Sequence, residues 1–386
     1  MKQARTVLST YSADTFGVCS ALYELGGMTV MHDASGCNST YTTHDEPRWY
    51  DSESLVFISA LTEMDAILGN DDKLKNDMLD AIHTLHPKFA AVAGTPIPMM
   101  NGCDLRAIAA EIEAEAGIPC FAFATNGMRS YLCGVSEALE TIAERIPNAD
   151  PKRRERTVNL LGATPLDFSL SGTVESVRDM LTAAGWDVIG CFAMGSGLAD
   201  FSRAGEAAVN LVLSASGMKA AKRLQKRFGT PYVVGTPIGT AFSAHLLQIL
   251  SQTAADGIDR MAFAEMQAAA DCKTVLIGES VISRSIAAEI GLQCGFVPRV
   301  VHPLEQLSEL EGICAAGDCC AESEEEMQAA CAAAETVIAD PLYRPILPQN
   351  CRLIRLPHEA FSGRMFRKEI PDLTKLNISA WFGGNQ

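Results

Sequence analysis

The sequence predicts an α/β chain of three domains, each built on a parallel sheet, and three observations carry that expectation. Short apolar, β-branched runs end repeatedly in glycine and lead into a helix start: 89–93 runs into Gly94-Thr95-Pro96, 158–161 into Gly162-Ala163-Thr164-Pro165, 232–234 into Gly235-Thr236-Pro237 and 274–277 into Gly278-Glu279-Ser280. That rhythm belongs to parallel sheets with crossover helices, whose ligands bind at the carboxyl ends of the strands. The intervening segments 173–184, 204–213 and 217–228 are alanine-rich and amphipathic, as helices covering such sheets are. Two breaks, a charged stretch with two prolines at 146–156 and the approach to Asp271-Cys272-Lys273, divide the chain into 1–154, 155–268 and 269–386. Each piece is of ordinary domain size, and no strict repeat points to a solenoid.

Taken in order, a first helix carries Cys19 and ends at Gly26-Gly27, and a strand at 29–31 opens the stretch 30–51, which contains His32, Cys37, His44 and Arg48. Small residues in Asp33-Ala34-Ser35-Gly36 let the backbone turn sharply and present a soft thiolate. Two readings of Cys37 stand side by side, a cluster or cofactor ligand and a packed cysteine in a surface loop. A buried strand is expected at 54–60, then a helix at 71–85 stopped by Pro87. His83 and His86 stand one turn apart there, a spacing that suits a metal but equally the negative end of a helix dipole. Cys103 begins a helix that runs to Ala116, where the dipole favours a thiolate. A long alanine-rich helix is expected before 271. Cys314, Cys319, Cys320 and Cys331 form the densest cysteine group, yet match no zinc-finger spacing, and Cys331 lies in an expected helix at 322–336.

Composition narrows the function classes. A net charge of −16 repels nucleic acid and anionic membrane surfaces, so neither is an expected partner. No apolar run approaches membrane-spanning length, and the basic start lacks the apolar core of a signal peptide. Thirteen cysteines in such a chain fit a reducing, cytoplasmic setting, with thiols serving as core residues or metal ligands. No glycine-rich loop closes on Lys-Ser or Lys-Thr, which excludes a P-loop, and Gly195-Ser196-Gly197 lacks the third glycine of the dinucleotide fingerprint and reads as a loop leading into the helix at 204. Nucleotide is therefore not expected on this chain.

Several stretches together resemble the nitrogenase component 1 family. His32-Asp33-Ala34-Ser35-Gly36-Cys37 is similar to its ligand-bearing His-Gly-Pro-x-Gly-Cys, and Cys19 to its earlier helix-borne ligand. The segment 59–74, with Glu63, Asp65 and Lys73-Leu74, resembles the family segment that follows. Val158 to Gly162, Asn210 to Ser214 and Arg227-Phe228-Gly229-Thr230-Pro231-Tyr232 are similar to second-domain landmarks, and Leu356 to Gly363, with His358, to a histidine segment of the third. Two departures stand out: Thr95-Pro96 occupies the place of the family's Thr-Cys ligand, with Cys103 where an aspartate falls, and Leu213 stands where a cofactor cysteine is found.

The resemblance implies three Rossmann-like domains and an iron–sulfur cluster, of the 4Fe-4S type or a larger relative, held by Cys19, Cys37 and Cys103. Alternatively, cluster nuclearity differs, or a partner chain completes the ligand set. It further implies a reductase that takes electrons from a separate ATP-dependent iron–sulfur reductase, works as a homodimer or sister-subunit heterodimer, and passes electrons to a small-molecule substrate in a cleft lined by His44, Arg48 and His358. A scaffold on which a metallocofactor is assembled or carried is the alternative, and a third reading is a structural subunit without a cluster.

Overall fold

Three parallel sheets, each formed by strands close together in the sequence, organise the chain. The computed structural model describes residues 6–34, 36, 38, 41, 45–269 and 271–382. In the first sheet, helix α1 (Asp14–Leu22) precedes β1 (Met28–Met31); then come β2 (Leu55–Ile58), α2 (Glu63–Leu68), α3 (Asp71–Leu85), β3 (Ala90–Ala93), α4 (Pro96–Asn101), α5 (Leu105–Ala116), β4 (Cys120–Phe123) and α6 (Tyr131–Arg145). The strand order is β2-β1-β3-β4. Alternation across the pleat divides the core: Met28, Val30, Ala90 and Val92 pack with α3 and α5, whereas Ala91, Ala93, Phe121 and Phe123 pack with α1 and α6. Helices α1 and α6 cross at backbone contact, where a Cβ on Gly134 would stand 1.8 Å from the Asp14 carbonyl oxygen. Only glycine fits such a crossing.

The second sheet holds β5 (Thr157–Leu161), β6 (Asp187–Phe192), β7 (Val209–Val212), β8 (Tyr232–Val234) and β9 (Arg260–Met261), in the order β6-β5-β7-β8-β9. Its helices are α7 (Pro165–Phe168), α8 (Thr173–Ala183), α9 (Leu198–Ser202), α10 (Met218–Phe228) and α11 (Ala241–Asp256). The third holds β10 (Thr274–Ile277), β11 (Arg299–His302), β12 (Cys319–Cys320), β13 (Thr336–Ala339) and β14 (Arg352–Arg355), ordered β12-β11-β10-β13-β14, with α12 (Ser280–Cys294), α13 (Glu324–Cys331), α14 (Glu359–Ser362) and α15 (Ile378–Phe382). Among the described residues no helix is long and apolar enough to cross a membrane.

Four elements differ from the sequence expectation. The helix expected at 204–213 is a short 3₁₀ turn, Ala204–Glu206, followed by β7, whose residues are buried on both faces. An apolar run buried all round carries no periodicity that separates strand from helix. The helix expected at 322–336 stops at Cys331, and β13 takes over at Thr336. The long helix expected before 271 ends at Asp256, where Gly257 adopts φ 74° and caps it. The strand expected to be buried at 54–60 is the sheet edge β2, with Phe57 exposed.

Candidate functional site

Parallel sheets bind ligands beyond the strand ends where the strand order reverses. That point lies between β5 and β7 in the second sheet and between β10 and β13 in the third. Three of these strands hand the chain to a carboxylate there: Asp167 in α7, Glu279 just after β10 and Asp340 just after β13. Together with Tyr11, Tyr343 and His358 they line a small cavity of about 40 Å³, room for no more than a few water molecules.

The polar contacts within it are uneven. Asp167 Oδ1 accepts a short hydrogen bond from the Tyr131 hydroxyl and stands 3.5 Å from His358 Nε2. The other carboxylate oxygen, both ring nitrogens of His358 and the Thr164 hydroxyl are buried without a hydrogen-bond partner among the described residues. Burial and the adjacent Asp167 hold the Tyr131 phenol well above its ordinary range. The α1–α6 crossing and the bond from Tyr131 N–H to the Ser12 carbonyl (2.7 Å) fix where that phenol points. The backbone N–H of His358 donates to Asp340 Oδ2 at 2.8 Å, which seats the imidazole at the end of β14. Glu279 caps α12 by accepting from the Val281 and Ile282 N–H groups, and it accepts from Ala215 N–H of the second sheet at 2.9 Å. Burial first, then the charge of Asp167, push its carboxyl up to about 7.

Beside this small cavity lies an open cleft of about 730 Å³, walled by Tyr11, Phe16, Arg129, Glu305, Glu359 and Phe361 among others. Tyr11 belongs to both walls, and its ring meets that of His358 edge-on with centroids 5.7 Å apart. The cleft falls in the size range of small-molecule sites. Tyr131, Asp167 and His358 stand in contact behind Tyr11, the residue that the cleft and the small cavity share.

The residues singled out in the sequence are dispersed. Cys37 and His44 lie outside the described residues. His358 is in the polar cavity. Arg48 is elsewhere, buried as a clamp: Nε meets Glu46 Oε1 at 2.6 Å, Nη1 meets Glu24 Oε1 at 2.8 Å and the Ala193 carbonyl at 3.2 Å, and Nη2 meets the Ser20 carbonyl at 2.8 Å. Cys19 is fully buried among Tyr23, Met31, Tyr41 and Val56 on the α1 face of the first sheet. Burial, then Glu46, push its thiol well above its ordinary value. Cys103 packs on the opposite face, beside the core of α3 and α5, with Sγ 3.5 Å from Asp71 Oδ1. The expected thiolate at this helix start is not favoured, because Asp104 is the capping residue and burial and Asp71 push the Cys103 thiol up to about 12. His83 and His86 are exposed at the end of α3.

The described thiols therefore do not fit an iron–sulfur cluster by themselves: Cys19 and Cys103 stand on opposite faces of one sheet, and no three metal-ligating side chains converge among the described residues. Sequence reasoning missed Tyr131, Asp167, Glu279 and Asp340. A signal existed for two of them, since Asp167 and Glu279 stand in or just after the glycine-ended turns where such sheets bind ligands.

Comparison with known proteins agrees with this architecture. Two solved chains titled nitrogenase Cp1, at pH 6.5 and pH 5, superpose with TM-scores of 0.68 and 0.69 over 97% and 99% of this chain and 92% and 89% of theirs, at 17% and 15% identity. That likeness concerns the fold. A component of the light-independent protochlorophyllide reductase of Chlorobium luteolum is 32% identical over 40% of this chain and 30% of its own length. The nitrogenase iron-molybdenum cofactor biosynthesis protein NifE of Clostridium pasteurianum is 27% identical over 56% of this chain and 48% of its own. The chain thus spans half or less of the curated relatives it matches. Residues 15–282 match the model of the nitrogenase component 1 type oxidoreductases, well over half of the chain, and the chain belongs to that family.

Proposed function

We propose that this chain is part of a nitrogenase-like reductase that reduces a small molecule held in the 730 Å³ cleft, with electrons supplied by a separate ATP-hydrolysing iron–sulfur reductase. The observation that carries this reading is the junction, through Tyr11, of that cleft with a buried Tyr131–Asp167–His358 run in which Asp167 Oδ2 and both His358 ring nitrogens are left without hydrogen-bond partners among the described residues. Unpartnered polar groups in a buried cavity cost stability, and active sites are where chains retain them. His358 is the group nearest the cleft through Tyr11, and its proposed role is to donate protons as electrons arrive. Asp167 orients it, and Tyr131 fixes Asp167.

An iron–sulfur cluster enters this reading only with thiols beyond the described set. The proposed ligands are Cys19 and Cys37, with the remainder from a second copy or a sister chain, and Cys103 is set aside by its place on the far face of the sheet. Soft thiolate ligation suits such a cluster. Anaerobically purified protein is expected to contain iron and acid-labile sulfide, which Cys19→Ser and Cys37→Ser lose and Cys103→Ser retains. Protein that takes up no iron after reconstitution overturns the cluster reading.

The similarity to a cofactor biosynthesis protein supports a second reading, a scaffold that builds or carries a metallocofactor. ATP-dependent multiple turnover of a small substrate favours the reductase; transfer of a bound cofactor to another protein without turnover favours the scaffold.

A further inference from the structure

At the edge of the third sheet, the turn between β11 and β12 brings two exposed thiols together. Cys314 Sγ and Cys320 Sγ stand 4.0 Å apart, so a closure of roughly 2 Å gives the bond length of a disulfide. The turn that holds them is fixed from several sides. Asp318 N–H donates to the Ala315 carbonyl at 3.0 Å, Asp318 Oδ2 accepts from Ala315 N–H at 2.8 Å, and Asp318 Oδ1 accepts from Val300 N–H at 2.8 Å. Gly317 supplies φ 93° at the tip, a conformation that side chains with a Cβ resist. Beneath the turn, Arg284 Nη1 stands 3.3 Å from Asp318 Oδ2, with both side chains buried. Ile313, next to Cys314, is seated in the main core.

The adjacent Cys319 is excluded from the pair by the pleat. In the ladder Val301 pairs with Cys319 and His302 with Cys320, so the two neighbouring cysteines point to opposite faces. Cys319 packs with Val301 and Cys331 against the inner core, and Cys320 faces out.

We infer that Cys314 and Cys320 form a site of reversible thiol modification, a dithiol that closes to an intramolecular disulfide by exchange with a low-molecular-weight disulfide. Cys320 gives its proton to solvent and its sulfur attacks one sulfur of the small disulfide, forming a mixed disulfide and releasing one small thiolate, which takes up a proton. Cys314 gives its proton to solvent and attacks the Cys320 sulfur, forming the Cys314–Cys320 bond and releasing the second small thiolate. Two protein thiols are oxidised, and the small disulfide is reduced to two thiols. Burial first, then the neighbouring Cys320 sulfur and Asp318, push the Cys314 thiol up to about 12, with the Arg284 guanidinium opposing them; once Cys320 is in the mixed disulfide, its share of that effect is gone.

The test uses the full chain, purified anaerobically and equilibrated with mixtures of reduced and oxidised glutathione, then alkylated and mapped by mass spectrometry. The expected result is loss of two alkylatable thiols, at Cys314 and Cys320, with an equilibrium constant about tenfold or more above that of the same pair in urea-unfolded chain, because the folded turn raises their effective concentration. Cys319→Ser leaves this unchanged, Cys314→Ser and Cys320→Ser abolish the intramolecular bond, and Gly317→Ala lowers the constant. A bond through Cys319, equal constants in folded and unfolded chain, or protection of the thiols by a metal seen in elemental analysis overturns the inference.

Discussion

Two of the buried clusters of charged groups, one around Arg48 and one around Asp167, are built on opposite principles. Around Arg48 the guanidinium donates to Glu46, Glu24, Ser20 and the Ala193 carbonyl, and the Tyr23 ring lies 4.7 Å from its centre. The guanidinium meets acceptors on every side, and through Ala193 the clamp ties the first domain's α1 and loop to the end of β6. Around Asp167 the reverse holds: a carboxylate oxygen, two imidazole nitrogens and a hydroxyl are buried without partners among the described residues. A satisfied cluster is a device for holding elements together, whereas a partly satisfied one keeps capacity for a ligand or a proton.

Substitutions test this contrast, and the largest effect is expected at the clamp. Arg48→Ala leaves Glu46 buried without its countercharge, and should cost about 3–5 kcal/mol in urea unfolding. A loss below about 1 kcal/mol would remove the distinction between the two clusters.

Tyr131→Phe takes away the one hydrogen bond to the Asp167 carboxylate given by another described side chain at bonding distance, and is expected to cost about 1–3 kcal/mol. On the proposed function it also slows turnover, and a pH–rate profile should move with it, a response that a purely structural phenol would not produce.

Glu279→Ala removes the cap of α12, a loss of about 0.5–2 kcal/mol. Because the folded carboxyl is raised from 4.5 to about 7, the stability Glu279 contributes is fully present below pH 4.5 and is lost as pH rises through about 7. The gap between wild type and variant in thermal melts should therefore be widest in acid and narrow between pH 4.5 and about 7. A gap that widens with pH contradicts the raised value.

The smallest stability effect is expected for His358→Leu. Its ring nitrogens hold no hydrogen bond among the described residues, so the exchange should change stability by less than about 1 kcal/mol while, on the proposed function, lowering turnover. Equal turnover would remove His358 from the proposed proton path.

The glycine-ended strands were legible because burial of a parallel strand on both faces demands a short apolar run, and the turn after it demands a small residue. The same logic failed for β7: Val209-Asn210-Leu211-Val212 is too short and too evenly apolar to tell a buried strand from a stretch of helix. Cys19 was legible as a cysteine on the first helix and Cys103 as one at a helix start. Their faces were not, since facing depends on which side of the sheet each crossover helix packs.

The chain's order of residues determined the three parallel sheets, the glycine-ended turns after their strands and the helix that carries Cys19. Those features rest on local periodicity and turn chemistry, which a sequence carries openly. Tertiary structure alone decided that Tyr131, Asp167, Glu279 and His358 meet, that Arg48 is sealed in a clamp, and that Cys103 stands across the sheet from Cys19. These pairings join residues far apart in the chain, and only the packing of whole sheets against one another sets their distances.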